Sequence, residues 1–138
     1  MNITIYDDIL RGMKAYNEAH SEENYGNAVV PYPTAKPTFP YTVFDEVRNI
    51  ANPLYRTPLD RITSNGYRVD IFAKTKGNVT KQIIARRIAQ LIDNYLSNCV
   101  GLLQVSYNVL PSENDDSIYH IAMMYEGTLH INRANFIN

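Results

Sequence analysis

The stretch TSNGYRVDIFAK, residues 63–74, decides the fold. In an extended chain Tyr67, Val69, Ile71 and Ala73 fall on one side and Arg68, Asp70 and Lys74 on the other, with Phe72 the interruption. A period of two marks a half-buried strand, and one apolar face with one polar face marks an antiparallel sheet covered on a single side. Gly77-Asn78 closes the strand, and over about residues 79–97 the period changes. Ile84, Ile88, Leu91 and Tyr95 line one face of a helix, with Ala85, Ala89, Ile92 and Leu96 widening it. Arg86, Arg87, Gln90, Asp93 and Asn94 take the outside.

Upstream, residues 4–17 predict a first helix. Thr4 stands at the N-cap, Asp7 and Asp8 lie in the first turn where the helix dipole favours acids, and Ile5, Ile9, Met13 and Tyr16 form one stripe. Gly12 weakens this helix slightly. The polar run His20–Asn27 breaks the pattern. Pro31, Pro33, Pro37 and Pro40 then make residues 30–40 an extended, surface-hugging segment that leads into a strand over Tyr41–Asn49. Asn52–Asp60 reads as a proline-bounded loop holding Leu54, Tyr55 and Arg56.

Downstream of Gly101, Leu103, Val105, Tyr107 and Val109 alternate with Gln104, Ser106 and Asn108 in a third strand. Pro111–Asp116 has turn chemistry. Ser117–His130 is a fourth strand with Tyr119, Ile121, Met123 and Tyr125 on one face. Gly127 within it marks a bulge or a close approach to another backbone, and Asn132–Asn138 reads as a loose tail. The order helix, hairpin, helix, hairpin predicts one α+β domain over residues 1–138. Its simplest form is a four-stranded, mostly antiparallel sheet with the helices packed on one face. The open face then keeps Arg68, Asp70, Lys74, Gln104 and Asn108.

With 45% hydrophobic and 20% charged residues, the 138-residue chain can bury a core without metal or disulfide staples. Cys99 is the one cysteine and ends a helical pattern among apolar neighbours, so a buried structural thiol is expected. The N-terminus does not read as a secretory signal, and no apolar run approaches the ~20 residues a spanning helix needs. An intracellular product is expected, unless a particle carries it out of the cell. The formal net charge of -1 hides three blocks: net -4 over residues 1–47, +7 over 48–87 and -4 over 88–138. Folding can mix these blocks. Alternatively, they form unlike patches suited to head-to-tail association, with Arg68, Arg86 and Arg87 as candidate contact cations.

Signals for catalysis are weak. His20, His120 and His130 are scattered and there is no Cys-x-x-Cys, so no metal site or cofactor is expected. A glycine-rich phosphate loop is missing as well. The best enzymatic alternative is a Mg²⁺-dependent nuclease in which Asp45, Glu46 and Asp70 converge beside Lys74. Cross-strand ion pairing on a polar sheet face explains the same residues more simply. A sheet rich in Tyr and Phe also invites comparison with single-strand nucleic-acid platforms. However, Tyr67, Tyr107, Tyr119 and Tyr125 share the apolar phase, which makes them core tyrosines, and the chain is not basic.

Three blocks carry a resemblance: Phe39-Pro-Tyr-Thr-Val-Phe44, Asn65–Lys74 leading into the helix at Thr80–Leu96, and Ser112–Gly127 with its Asp-rich turn, Ile-Tyr strand and Tyr-Glu-Gly ending. In this order and spacing they resemble the small tail-terminator and tail-completion (minor capsid) proteins of siphophages, from Ile5 to Leu129. The resemblance implies a virion protein, assembled in the bacterial cytoplasm, that forms a ring, typically six-fold, on the last disc of the tail tube. Such a ring stops tube growth and presents a docking surface to the head. The implied partners are copies of itself, the tail-tube protein and a head-completion protein, with no membrane, no specific nucleic acid and no catalytic residue. A head-completion connector of similar size and layout is the alternative. Leu54, Tyr55 and Arg56 are the expected inter-subunit or head-facing contact; the alternative is that Leu54 and Tyr55 fold back onto the domain edge.

Overall fold

The computed structural model describes residues 5–33, 37–51, 60–111 and 117–132. Helix α1 spans Ile5–Ala19 with Asp7 and Asp8 in its first turn. Ile9 and Met13 of its apolar stripe are buried, and Tyr6 and Leu10 pack at the margin. The polar run after α1 is an ordered turn. Asn17 Nδ2 donates to the Asn27 carbonyl at 2.8 Å, Asn24 Nδ2 to the Asn17 carbonyl at 2.6 Å, and Thr42 Oγ1 to Asn27 Oδ1 at 3.0 Å. Buried amides are costly unless bonded, so this network fixes how the chain leaves α1. It leads into β1, Ala28–Val30, which pairs parallel to β2, Tyr41–Ala51.

β2 and β3, Asp60–Ala73, form an antiparallel hairpin with an irregularity between Glu46 and Arg48. Helix α2, Lys81–Asp93, is capped by Thr80, whose side chain accepts from the Ile83 amide. It continues as a π-helical stretch, Asn94–Val100, that ends where Gly101 turns left-handed at φ 87°. β4, Leu103–Leu110, pairs antiparallel with β5, Tyr119–Asn132, and β5 pairs antiparallel with β3. The sheet order is β1-β2-β3-β5-β4.

The class is α+β, but the sheet is five-stranded and mixed rather than four-stranded and mostly antiparallel. β1 was not legible because three residues are too few to show a period. The long helix predicted to end near residue 97 instead changes to π geometry after Asp93.

Both helices pack against one sheet face. Phe44, Tyr67, Val69, Ile71, Ile121, Met123 and Tyr125 of that face are fully buried, as are Ile84, Ile88 and Leu96 above them. Each of the aliphatic, Met and Phe side chains among them contributes about 1.5–3 kcal/mol by leaving water. Tyr6 stacks on Phe44 with ring centroids 5.1 Å apart and donates its hydroxyl to the Phe44 carbonyl. Two glycines make room for this packing. A Cβ on Gly12 would lie 1.9 Å from the Tyr95 hydroxyl, and one on Gly127 would lie 2.6 Å from Leu102 Cδ2. Gly127 thus accommodates a side chain, and the bulge falls in the partner strand, between Gln104 and Ser106 of β4.

That bulge corrects the reading of β4. It puts Gln104 level with Tyr125 on the helix-covered face, where its amide donates to the Tyr125 hydroxyl at 3.0 Å. The Tyr125 hydroxyl in turn donates to Asp93 at 2.7 Å, and Ser97 donates to the same oxygen at 2.9 Å. Burial, then the bond to Asp93, raises the Tyr125 pKa far above the usual range. The expected core phase Leu103, Val105, Tyr107 and Val109 is 68, 47, 44 and 49% exposed. As an edge strand, β4 lies beyond the cover of α2, which packs over β3 and β5.

Candidate functional site

The open face of the sheet is built by register. One row runs Tyr41, Phe72, His120, Leu110, the next Val43, Asp70, Ala122, Asn108, and the next Asp45, Arg68, Met124, Ser106. Arg68 donates to both Asp70 oxygens at 2.9 and 3.1 Å, and the His120 ring nitrogen Nε2 lies 2.7 Å from Asp70 Oδ1. Burial pushes the Asp70 carboxyl up. The bonds from His120 and Arg68 outweigh it and hold the group below its usual range. Bonding to Asp70 raises the Arg68 pKa. The side chain that accepts from both neighbours is therefore a settled carboxylate.

This arrangement does not assemble the nuclease cluster. Asp45 is opposite Arg68 on the open face, whereas Glu46 is opposite Tyr67 and so takes the other face. Asp70 is already bound to Arg68 and His120, and the Lys74 ammonium lies 4.5 Å over the Phe39 ring. No group of three metal-ligating side chains occurs among the described residues.

The open face also carries an aromatic row that strand alternation alone left out. Tyr41 and Phe72 are 4.8 Å apart and tilted by 17°, and Phe72 and His120 are 4.2 Å apart and tilted by 22°. These separations match the spacing of neighbouring strands, so the rings stand upright and use their faces on one another. A single-strand platform needs free ring faces for bases to stack on. Here the stacked rings brace the sheet. Phe72, the interruption in the polar phase of β3, was the sequence signal for this row. His120 as the partner of Asp70 had none, because 50 residues separate them.

The predicted contact residues are distributed rather than joined. Arg68 is bound to Asp70 at the centre of the open face. Arg87 bonds the Tyr25 hydroxyl in the turn before β1. Arg86 is exposed and acts on Tyr107 of β4, where it opposes the rise in pKa caused by burial and by Tyr119. Among the described residues, Arg68, Arg86 and Arg87 therefore do not form one patch. Leu54, Tyr55 and Arg56 lie outside the described residues. Cys99 is exposed, not buried, because the π-helical turn rotates it off the apolar face that Leu96 occupies.

What remains is the edge of the sheet. Along β4 four apolar side chains reach solvent, and the strand LQVSYNVL has no charge and no proline, two of the common devices that guard an edge against pairing. Its bulge is confined to the start, leaving Ser106–Leu110 regular. At the other edge, Tyr32, just beyond β1, is 68% exposed. Exposed apolar side chains gathered on strands that, among the described residues, pair on one side only mark a surface for another chain. No model of a protein family matches this sequence, and no curated protein does.

Proposed function

We propose that this chain is a structural assembly subunit of a tailed phage, acting like a tail terminator: copies close into a ring on the end of the tail tube, halt its growth and present a face to the head. The observation that carries the assembly part is the β4 edge, with four exposed apolar side chains on a strand free of charge and proline. A monomeric protein gains nothing from such an edge and risks aggregation by it. The phage assignment draws on the resemblance of Phe39–Phe44, Asn65–Lys74 and Ser112–Gly127 to that family, and a head-completion connector of the same layout is the alternative place in the particle. Chemistry on a substrate has no support from the open face, where the half-buried Asp70 carboxylate is held by Arg68 and His120.

The test is light scattering over a wide concentration range, with negative-stain microscopy of the protein alone and with purified tail tubes. Rings, or caps on tube ends, are expected. A monomer at every concentration that leaves tubes uncapped overturns the assembly reading. Rings that bind head connectors but not tubes move the protein to the other side of the joint.

A further inference from the structure

The two edges of the sheet differ in kind, and their polarities are related. β1 is parallel to β2, and the three further pairings β2–β3, β3–β5 and β5–β4 are antiparallel, so β4 runs opposite to β1. The row Ala28, Tyr41, Phe72, His120, Leu110 crosses the whole sheet, which puts the start of β1 and the end of β4 at the same end. If a second copy continues the sheet in the same orientation, its β1 therefore meets β4 antiparallel, with both sets of helices on one side. Among the described strands, β1 and β4 each have a neighbour on one side only.

Resting on the assembly reading above, we propose that subunits join head to tail through these edges, β4 of one copy pairing antiparallel with β1 of the next, so that the sheet runs on around the ring. Five of the exposed large apolar side chains fall on the two edges: Tyr32 beside β1 and Leu103, Val105, Tyr107 and Val109 on β4. Charge favours this junction over a two-fold pairing of β4 with itself. Arg86 of α2 is exposed and its charge reaches Tyr107 of β4, while Glu18, Glu22 and Glu23 are exposed at the end of α1 and in the turn leading to β1. Lys76 and Arg87 in that neighbourhood are bonded to Tyr25. Head-to-tail contact brings Arg86 toward the neighbour's acids, whereas the two-fold contact brings Arg86 toward its own copy. An unlike pair of edges also allows closure at any subunit number that the rotation permits.

The experiment is complementation between two blocked edges, read by light scattering after circular dichroism has confirmed that each variant is folded. Tyr107→Lys with Val109→Lys blocks β4; Val30→Pro with Tyr32→Lys blocks β1. Each variant alone is expected to stay monomeric at concentrations where the parent assembles, at least tenfold above the parent's midpoint. Mixed in equal amounts they should give a heterodimer, one intact junction, and nothing larger. The milder Arg86→Glu should raise the midpoint at least threefold, more at low salt than at high. A β1-blocked variant that still dimerises by itself overturns the head-to-tail junction in favour of the two-fold one. Rings that form unchanged from both variants overturn the edge junction while leaving the assembly reading intact. A parent that never assembles, even on tubes, removes both.

Discussion

Replacing Gly12 by alanine separates a reading of the sequence from a reading of the structure, because the two give opposite signs. On helix propensity alone, Gly→Ala in α1 adds about 1 kcal/mol of stability. In the folded protein, however, the new Cβ would stand 1.9 Å from the Tyr95 hydroxyl and 2.9 Å from its ring carbon Cζ. Tyr95 is partly buried, and its ring packs on Tyr16 at a centroid distance of 5.4 Å. Moving the ring aside disturbs its packing on Tyr16 of α1. Overpacking of this kind costs about 1–3 kcal/mol, so the net expectation is a loss of about 1 kcal/mol. For a chain of this size that lowers Tm by about 4 °C. Thermal and urea unfolding of Gly12→Ala measure it, and the same substitution in a Tyr95→Leu background should recover the gain that propensity offers. A single variant as stable as the parent or more so refutes the packing argument. Equal effects in the two backgrounds would place the cause outside Tyr95.

Three further outcomes follow from particular contacts. Asp70→Asn should cost about 1–3 kcal/mol at pH 7, the loss of charge-assisted bonds from Arg68 and His120. Because the folded carboxyl is held below its usual range, this contribution is present above the unfolded value near pH ~4 and fades as pH falls through the lower folded value; a gap between parent and variant that widens in acid contradicts the assignment. Tyr125→Phe should cost about 1–3 kcal/mol in urea unfolding, since Asp93 loses its shortest side-chain donor and Gln104 an acceptor; an unchanged midpoint means the cluster contributes nothing. Cys99 should react with a thiol reagent in the folded protein without denaturant, one equivalent per chain, and a reaction that waits for unfolding would restore the buried reading.

Much of the architecture was legible from local pattern. The alternation of Tyr67, Val69, Ile71 and Ala73 placed those residues in the core, and all four are fully buried. The α2 face predicted from Ile84, Ala85, Ile88 and Ala89 is likewise the buried one. Such patterns survive because a period of two or 3.6 residues is a property of the chain itself, independent of what covers it.

Only the tertiary structure decided which strand would be left without cover. Leu103, Val105, Tyr107 and Val109 have the same alternation as Tyr119, Ile121, Met123 and Tyr125, yet the first set is exposed and most of the second is buried. For Tyr107 and Val109 the difference comes from strand order, since pairing β5 with β3 sends β4 to the edge, beyond the reach of α2, while at the start of β4 the bulge takes Leu103 and Val105 out of the core phase. Strand order also brought His120 to Asp70 across 50 residues, and parallel pairing recruited the three residues of β1. Alternation records which side of a strand is apolar. What lies against that side is settled by contacts between residues far apart in the chain, and these leave no period to read.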